Sequence, residues 1–203
     1  MKREGDVKEL LIANAIRLVA QGGFESATTK ELTHGGATLP DFKMNEVYIY
    51  RIFGGKEGLF ETTFLRLDAE LFEDFKNNAR EVGTFEGNTK EKLFRFFLRA
   101  WNFILSDESK CRYYMRYCYS IYFKGTSLEA HNKHFNDIIS DLKPVFKDEV
   151  DVSTIFHSVF AIFFDFGIQI FNGQIQNDEV TRFHIFNTLY GILAPYFKNP
   201  IKE

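Results

Sequence analysis

Asn45-Glu46-Val47-Tyr48-Ile49-Tyr50-Arg51-Ile52-Phe53-Gly54-Gly55-Lys56-Glu57-Gly58-Leu59 decides how the rest of the chain is read. It predicts a short amphipathic helix from about Met44 to Ile52, with Val47 and Ile49 facing inward. Tyr48, Tyr50 and Arg51 then lie on its outer face. Gly54-Gly55 breaks that helix, because glycine accepts the left-handed backbone that ends helices. Lys56-Glu57 opens a much longer one. A short helix with exposed aromatic and basic side chains, jointed to a long helix, suits a recognition element attached to a body.

Upstream, Asp6 is expected to cap a first helix carrying Val7, Leu11, Ala15 and Leu18 at helical spacing. Gly22-Gly23 ends it, and Phe24 is placed to pack back. Thr28 caps a second helix, with Glu31 completing a capping box. Gly35-Gly36 closes that helix, and Ala37 to Lys43 is irregular around Pro40-Asp41. Downstream, the long helix is expected from Lys56 to Arg80, and a fifth from a cap at Asn88 or Thr89. A sixth starts near Asp107 and runs through the tyrosine-rich stretch to Phe123, where Gly125-Thr126-Ser127 breaks it. Helices follow over 128–142, 153–171 and 179–197. No strand pattern competes, so the fold class expected is all-α.

The bulk composition limits function. The chain has 203 residues, 24 of them phenylalanine, and a net charge of −3. No global basic field draws it to nucleic acid, so any such contact must come from a local patch. So many rings imply large aromatic cores, or cores with a subunit interface and an apolar cavity besides. Cys111 and Cys118 lie two helical turns apart, too far for a disulfide, and read as free thiols of a reducing compartment. The charged N-terminus predicts no secretory signal, and no uninterrupted apolar run approaches the length of a membrane span. A cytoplasmic location is expected. The last two predicted helices are apolar on more than one side, which calls for a partner outside their own core.

Gly23-Phe24, Thr28-Thr29 and Ile49-Tyr50-Arg51-Ile52-Phe53-Gly54-Gly55-Lys56-Glu57-Gly58-Leu59 together resemble the head of the TetR family of bacterial transcriptional regulators. That family shows a glycine-aromatic pair, a Thr-Thr helix start, and an aromatic-x-x-Lys-x-x-Leu joint. The stretch Ala37 to Lys43 is longer than the glycine-containing turn of the family, and Val47 stands where a small residue is common. The resemblance implies a helix-turn-helix DNA-binding domain over 1–55 and a helical ligand-binding and dimerisation domain over 56–203. By position, Thr28 and Thr29 would approach a phosphate, and Asn45, Glu46 and Tyr48 would face base edges. Tyr50 and Lys56 would contact phosphates, and Arg51 would serve backbone or base.

The body offers candidates for an effector site. Phe97, Trp101, Tyr113, Tyr117, Phe123, Phe160 and Phe164 serve either as core or as the lining of an apolar cavity. Arg112, Arg116, His134 and His157 are the candidate polar anchors. His131 and His134 sit one turn apart, yet no acidic or cysteine partner makes a convincing metal site, and neither metal nor cofactor is expected. No catalytic motif is present in the sequence, so no enzyme is expected. The function implied is a homodimeric, ligand-responsive regulator, more often a repressor, binding double-stranded operator DNA and an apolar or aromatic small molecule. The last two helices would form the dimer interface, with no membrane involved. The alternative keeps the fold and drops the DNA: a dimeric binder of apolar small molecules with a degenerate head.

Overall fold

The computed structural model describes residues 2–34, 44–83 and 86–198. The helices are α1 (Lys2–Gly22), α2 (Thr29–His34), α3 (Val47–Phe53), α4 (Lys56–Gly83) and α5 (Thr89–Leu105). They continue as α6 (Glu108–Cys118), α7 (Gly125–Leu142), α8 (Val152–Phe171) and α9 (Glu179–Leu193). Short 3-10 turns at Lys143–Val145 and Ala194–Tyr196 complete the described elements. The only extended pairing among the described residues is an isolated bridge between Phe146 and Phe197. The all-α class expected from the periodicity is the one observed.

Most helix starts are set by local hydrogen bonds. Thr28 Oγ1 accepts from the Glu31 amide at 3.2 Å. Asn88 and Glu91 form a reciprocal capping box, while Asp107, Asp151 and Asp178 cap α6, α8 and α9. Each supplies an acceptor to amides that have no intrahelical partner.

Several boundaries differ from expectation: α3 begins at Val47 rather than about Met44, and α4 runs to Gly83 rather than Arg80. α1 begins at Lys2, so Asp6 lies inside it rather than capping it. α6 stops at Cys118, because Ser120 intervenes: its hydroxyl donates to Tyr117 O and accepts from the Tyr122 amide. Such side-chain bonds offer the backbone an alternative to helix. Gly125, with φ of 53°, starts α7 instead of merely breaking α6. α9 gives way to a 3-10 turn after Leu193 because Pro195 has no N–H to continue the ladder. The turn expected over 37–43 and the Gly35-Gly36 stop lie outside the described residues.

The chain packs as two compact units, Met1–Glu70 with Asp107–His131, and Leu71–Ser106 with Asn132–Glu203. α4 and α7 each contribute to both. This is a partition of packing; the functional boundary expected after Gly55 is a different one.

In the first unit α1 packs on α6, α2 and α3. Val7, Leu11, Ala15 and Val19 are all buried along one stripe of α1. The core is a set of interlocked rings. Phe24 meets Phe60 edge-on at 4.9 Å, and Phe64 stacks on Tyr117 at 4.3 Å. Beside them lies a buried polar cluster. Asp68, with no exposed surface, accepts from Tyr114 OH at 2.8 Å and faces His131 Nδ1 at 2.7 Å. Since a carboxylate only accepts, His131 Nδ1 is the donor there. The cluster ties α4 to α6 and to the start of α7.

In the second unit α8 packs on α9, and both pack on α5. Trp101 is fully buried, stacks on Phe97 at 5.5 Å, and donates from Nε1 to Asn177 Oδ1 at 3.1 Å. Gly167 lets α8 approach closely, since a Cβ there would lie 3.1 Å from Ile104 Cδ1. Phe146, Val152 and Phe197 form a smaller cluster with Leu142, Tyr190 and Leu193 packed against it. Among the described residues α8 is by length and composition apolar enough to cross a membrane. Asp165 and His157 interrupt it.

Both cysteines are free and lie on α6. Burial pushes each thiol up to about 12 from an ordinary 9.0. Burial likewise raises the Tyr113 and Tyr114 hydroxyls well above their usual value. The folded chain therefore holds protons that the unfolded chain releases, so these groups stabilise the fold below their unfolded values. That stability is lost as pH rises from 9.0 toward about 12. Urea midpoints measured across this range should fall steadily, and native thiols should react far more slowly with a disulfide reagent at neutral pH than unfolded ones. At the polar cluster, His131→Leu removes the buried partner of Asp68 and should cost about 3–5 kcal/mol. Tyr114→Phe removes one bond to the carboxylate and should cost about 1.5–3 kcal/mol. Both are read from urea unfolding.

Candidate nucleic-acid interface

Asn14 and Ile49 fix the inner side of the head. The buried Asn14 donates from Nδ2 to Leu32 O at 2.9 Å, tying α1 to α2. Ile49 has no exposed surface and anchors α3. Val47 points the other way: it is 64% exposed, against the expectation that it faces inward. The reason is helical geometry. With Ile49 as the inward residue and α3 only seven residues long, Val47, Tyr50 and Arg51 share the opposite face. Tyr50 is 60% exposed.

The other candidates are held by their neighbours. Asn45 Oδ1 accepts from the Val47 amide at 3.0 Å, shaping the entry to α3. Thr29 Oγ1 donates to Glu46 Oε2 at 2.8 Å, so its O–H is already in use. Thr28 differs, because its hydroxyl oxygen accepts from Glu31 and its own O–H can still donate. The Arg51 guanidinium lies 4.6 Å from the centre of the Tyr48 ring, and its Nε lies 3.3 Å from Glu4 Oε1. Both members of that ion pair are about half exposed, where water and salt weaken the attraction.

The joint is set by glycines. Gly54 caps α3 at φ of 75° with its amide on Tyr50 O. Gly58 has a different reason: a Cβ there would lie 2.0 Å from the Phe53 carbonyl oxygen. No side chain fits without moving the backbone. Lys56, at the first position of α4, holds its Nζ 5.7 Å from the Phe60 ring centre. A cation at this helix end opposes the dipole.

The effector candidates divide between the packing units. In the first, Tyr113 and Tyr117 are buried, and their hydroxyls donate to Phe60 O and Tyr122 O. Phe123 is half-buried between Phe64 and His131. Arg112 pairs with Glu108 at 2.7 Å, and the exposed Arg116 lies beside Gly23. In the second unit Phe97, Trp101 and Phe164 are buried, while Phe160 is half-buried and 4.7 Å from Phe164. His134 lies against Phe72, and the exposed His157 faces Ser153 O at 2.8 Å with its ring on Phe135.

The sequence reading missed the Asp68–His131–Tyr114 cluster, setting His131 beside His134 without making a convincing metal site. The available signal was an aspartate on the inner stripe of α4, close to Phe64, Leu67, Leu71 and Phe72. Among the described residues no group of three or more His, Cys, Asp or Glu is placed to hold a metal ion.

No family model matches the chain, and no curated protein sequence matches it. Solved structures do. A TetR-family transcription regulator from Marinobacter aquaeolei VT8 superposes with a TM-score of 0.71 at 14% identity, over 95% of this chain and 98% of that one. A TetR-family regulator from Streptomyces coelicolor gives 0.64 at 14% identity, over 94% and 82%. The transcriptional regulator FadR from Bacillus subtilis, in complex with stearoyl-CoA, gives 0.60 at 14% identity, over 89% and 96%.

The joint itself generates a prediction. Gly58→Ala should displace the backbone at Phe53 and cost about 1–3 kcal/mol of stability, whereas Gly5→Ala, with open space around its Cβ position, should not destabilise. Thermal unfolding of the two variants checks it. In its all-helical architecture, along nearly its whole length, the chain has the fold of the TetR-family regulators.

Proposed function

We propose that this protein is a ligand-responsive transcriptional regulator that binds operator DNA as a homodimer, acting as a repressor in the cytoplasm. The observation that carries the reading is the exposed face of α3, with Tyr50 and Arg51 beside a glycine-capped joint, in a chain with this fold. Residues 1–55 are the DNA-binding part and 56–203 the effector and dimerisation part. Asn45, Glu46 and Tyr48 face base edges, while Thr28, Tyr50 and Lys56 meet phosphates. Arg51 joins them by exchanging Glu4 for DNA, and Thr29 acts through Glu46.

A helix-turn-helix dimer needs its two reading helices about 34–36 Å apart to enter successive major grooves. α8 and α9 are the elements for that pairing. Val180 and Phe183 are exposed in the single chain at 64% and 50%, and a four-helix contact with a second copy would cover them. The effector is apolar or aromatic. In the first unit the half-buried Phe123 is the candidate best placed to meet one, with Arg112 and Arg116 as polar partners, and in the second unit it is the half-buried Phe160, with His134 and His157. FadR from Bacillus subtilis, of the same fold, holds stearoyl-CoA, which favours a ligand with a long apolar tail. The effector lowers operator affinity only by its differential affinity for the two states.

Footprinting upstream of the protein's own gene tests this reading. The effector-free dimer should protect a short near-palindromic site. Lys56→Gln takes one cation away from the phosphates in each subunit, so the log–log salt slope should shrink by about 0.9 per phosphate no longer neutralised. Absence of any footprint at low salt would favour the dimeric small-molecule binder instead. Phe183→Glu should shift the protein from dimer to monomer in sedimentation.

A further inference from the structure

The bond between Thr29 and Glu46 joins the first residue of α2 to the residue just before α3. We propose that Glu46 is a specificity-determining residue that selects cytosine in the operator, and that Thr29 is the positioning residue that holds its carboxylate. The inference rests on the DNA-binding reading above and extends it to which base is read.

A carboxylate on a DNA-facing surface is repelled by phosphates unless it gains a contact that only it can make. Among the described residues no basic side chain pairs with Glu46; Arg51, the nearest in sequence of those described, pairs with Glu4. Among the described residues the carboxylate is therefore an acceptor without a cation. On the major-groove edge, guanine and thymine present acceptors, which repel it. Adenine presents its N6 amine beside the N7 acceptor. Cytosine presents the N4 amine alone. An acceptor-only group at this place discriminates most strongly in favour of cytosine.

Thr29 supplies the second half of the argument. Its O–H engages Glu46 Oε2 at 2.8 Å and leaves Oε1 as the acceptor for the base. A glutamate is a flexible side chain, and holding one oxygen before DNA arrives lowers the ordering cost of reading. The two neighbouring threonines thus have different tasks. Thr28 caps α2 and keeps a donor for phosphate, and Thr29 orients a reader.

The competing explanation is that the bond only pins α3 to α2. Glu46→Gln separates the two, because glutamine keeps an acceptor for Thr29 but adds an N–H donor, which suits adenine. Thr29→Val keeps the shape and removes the O–H. Sites are to be selected from randomised duplexes by the full-length effector-free wild type and both variants, with melting temperatures confirming that each is folded. The wild-type half-site should carry one cytosine whose replacement weakens binding roughly ten- to hundredfold. Glu46→Gln should lose that preference or move it to adenine, and Thr29→Val should keep the cytosine but bind the wild-type site several-fold more weakly. If Glu46→Gln selects the wild-type sequence with unchanged preference, Glu46 is a pin and the proposal is overturned while the regulator reading stands. If the wild type selects no sequence at all, both fall together.

Discussion

A carboxylate with no access to water sets the terms for the first packing unit. Asp68 sits on the inner side of α4 with no exposed surface. An unpaired charge there would make the unit unstable, since burial of a lone ion costs far more than a domain's net stability. Its bonds come from two other helices, Tyr114 on α6 and His131 on α7. Each bond fixes a register. Tyr114 sets the rotation of α6 about its axis, and His131 sets where α7 begins relative to α4. The rings of Phe64 and Phe123 close over the cluster and keep its dielectric low.

The same arrangement connects the core to the proposed reading surface. α6 is the helix on which α1 packs, and α1 carries Asn14, which holds α2, and Glu4, which pairs with Arg51. α4 carries Asp68 and begins at the joint with α3. A movement of α4 against α6 in the proposed regulator therefore has to break or carry these bonds. Packed polar clusters resist gradual deformation, which suits an element with two discrete arrangements.

The aromatic excess finds two uses. In the first unit the Tyr113 and Tyr117 hydroxyls go to main-chain carbonyls, so these rings tie α6 to α4 and to the turn that follows α6 as well as filling space. In the second unit the rings are mostly phenylalanine, with Trp101 and Tyr190 among them. α8 and α9 there keep apolar surface uncovered in the single chain. That uncovered surface is what the proposed pairing with a second copy would cover.

The helices were legible in the sequence because their signals are local. Spacing of apolar residues, the Thr28 cap, the helix starts at Asn88 or Thr89 and near Asp107, and the Gly54-Gly55 break depend on neighbours within a turn or two. The errors came where one local signal met another, as at Ser120 and Pro195. The resemblance around the joint pointed to residues of the candidate interface for the same reason: a glycine-capped helix end followed by a helix start is written in a few adjacent positions. Only the tertiary structure decided which side of α3 faces out, that Arg51 meets Glu4, that Thr29 meets Glu46, and that His131 meets Asp68. Those are contacts between residues far apart in the chain, fixed by which surfaces pack together, and no spacing in the sequence records them.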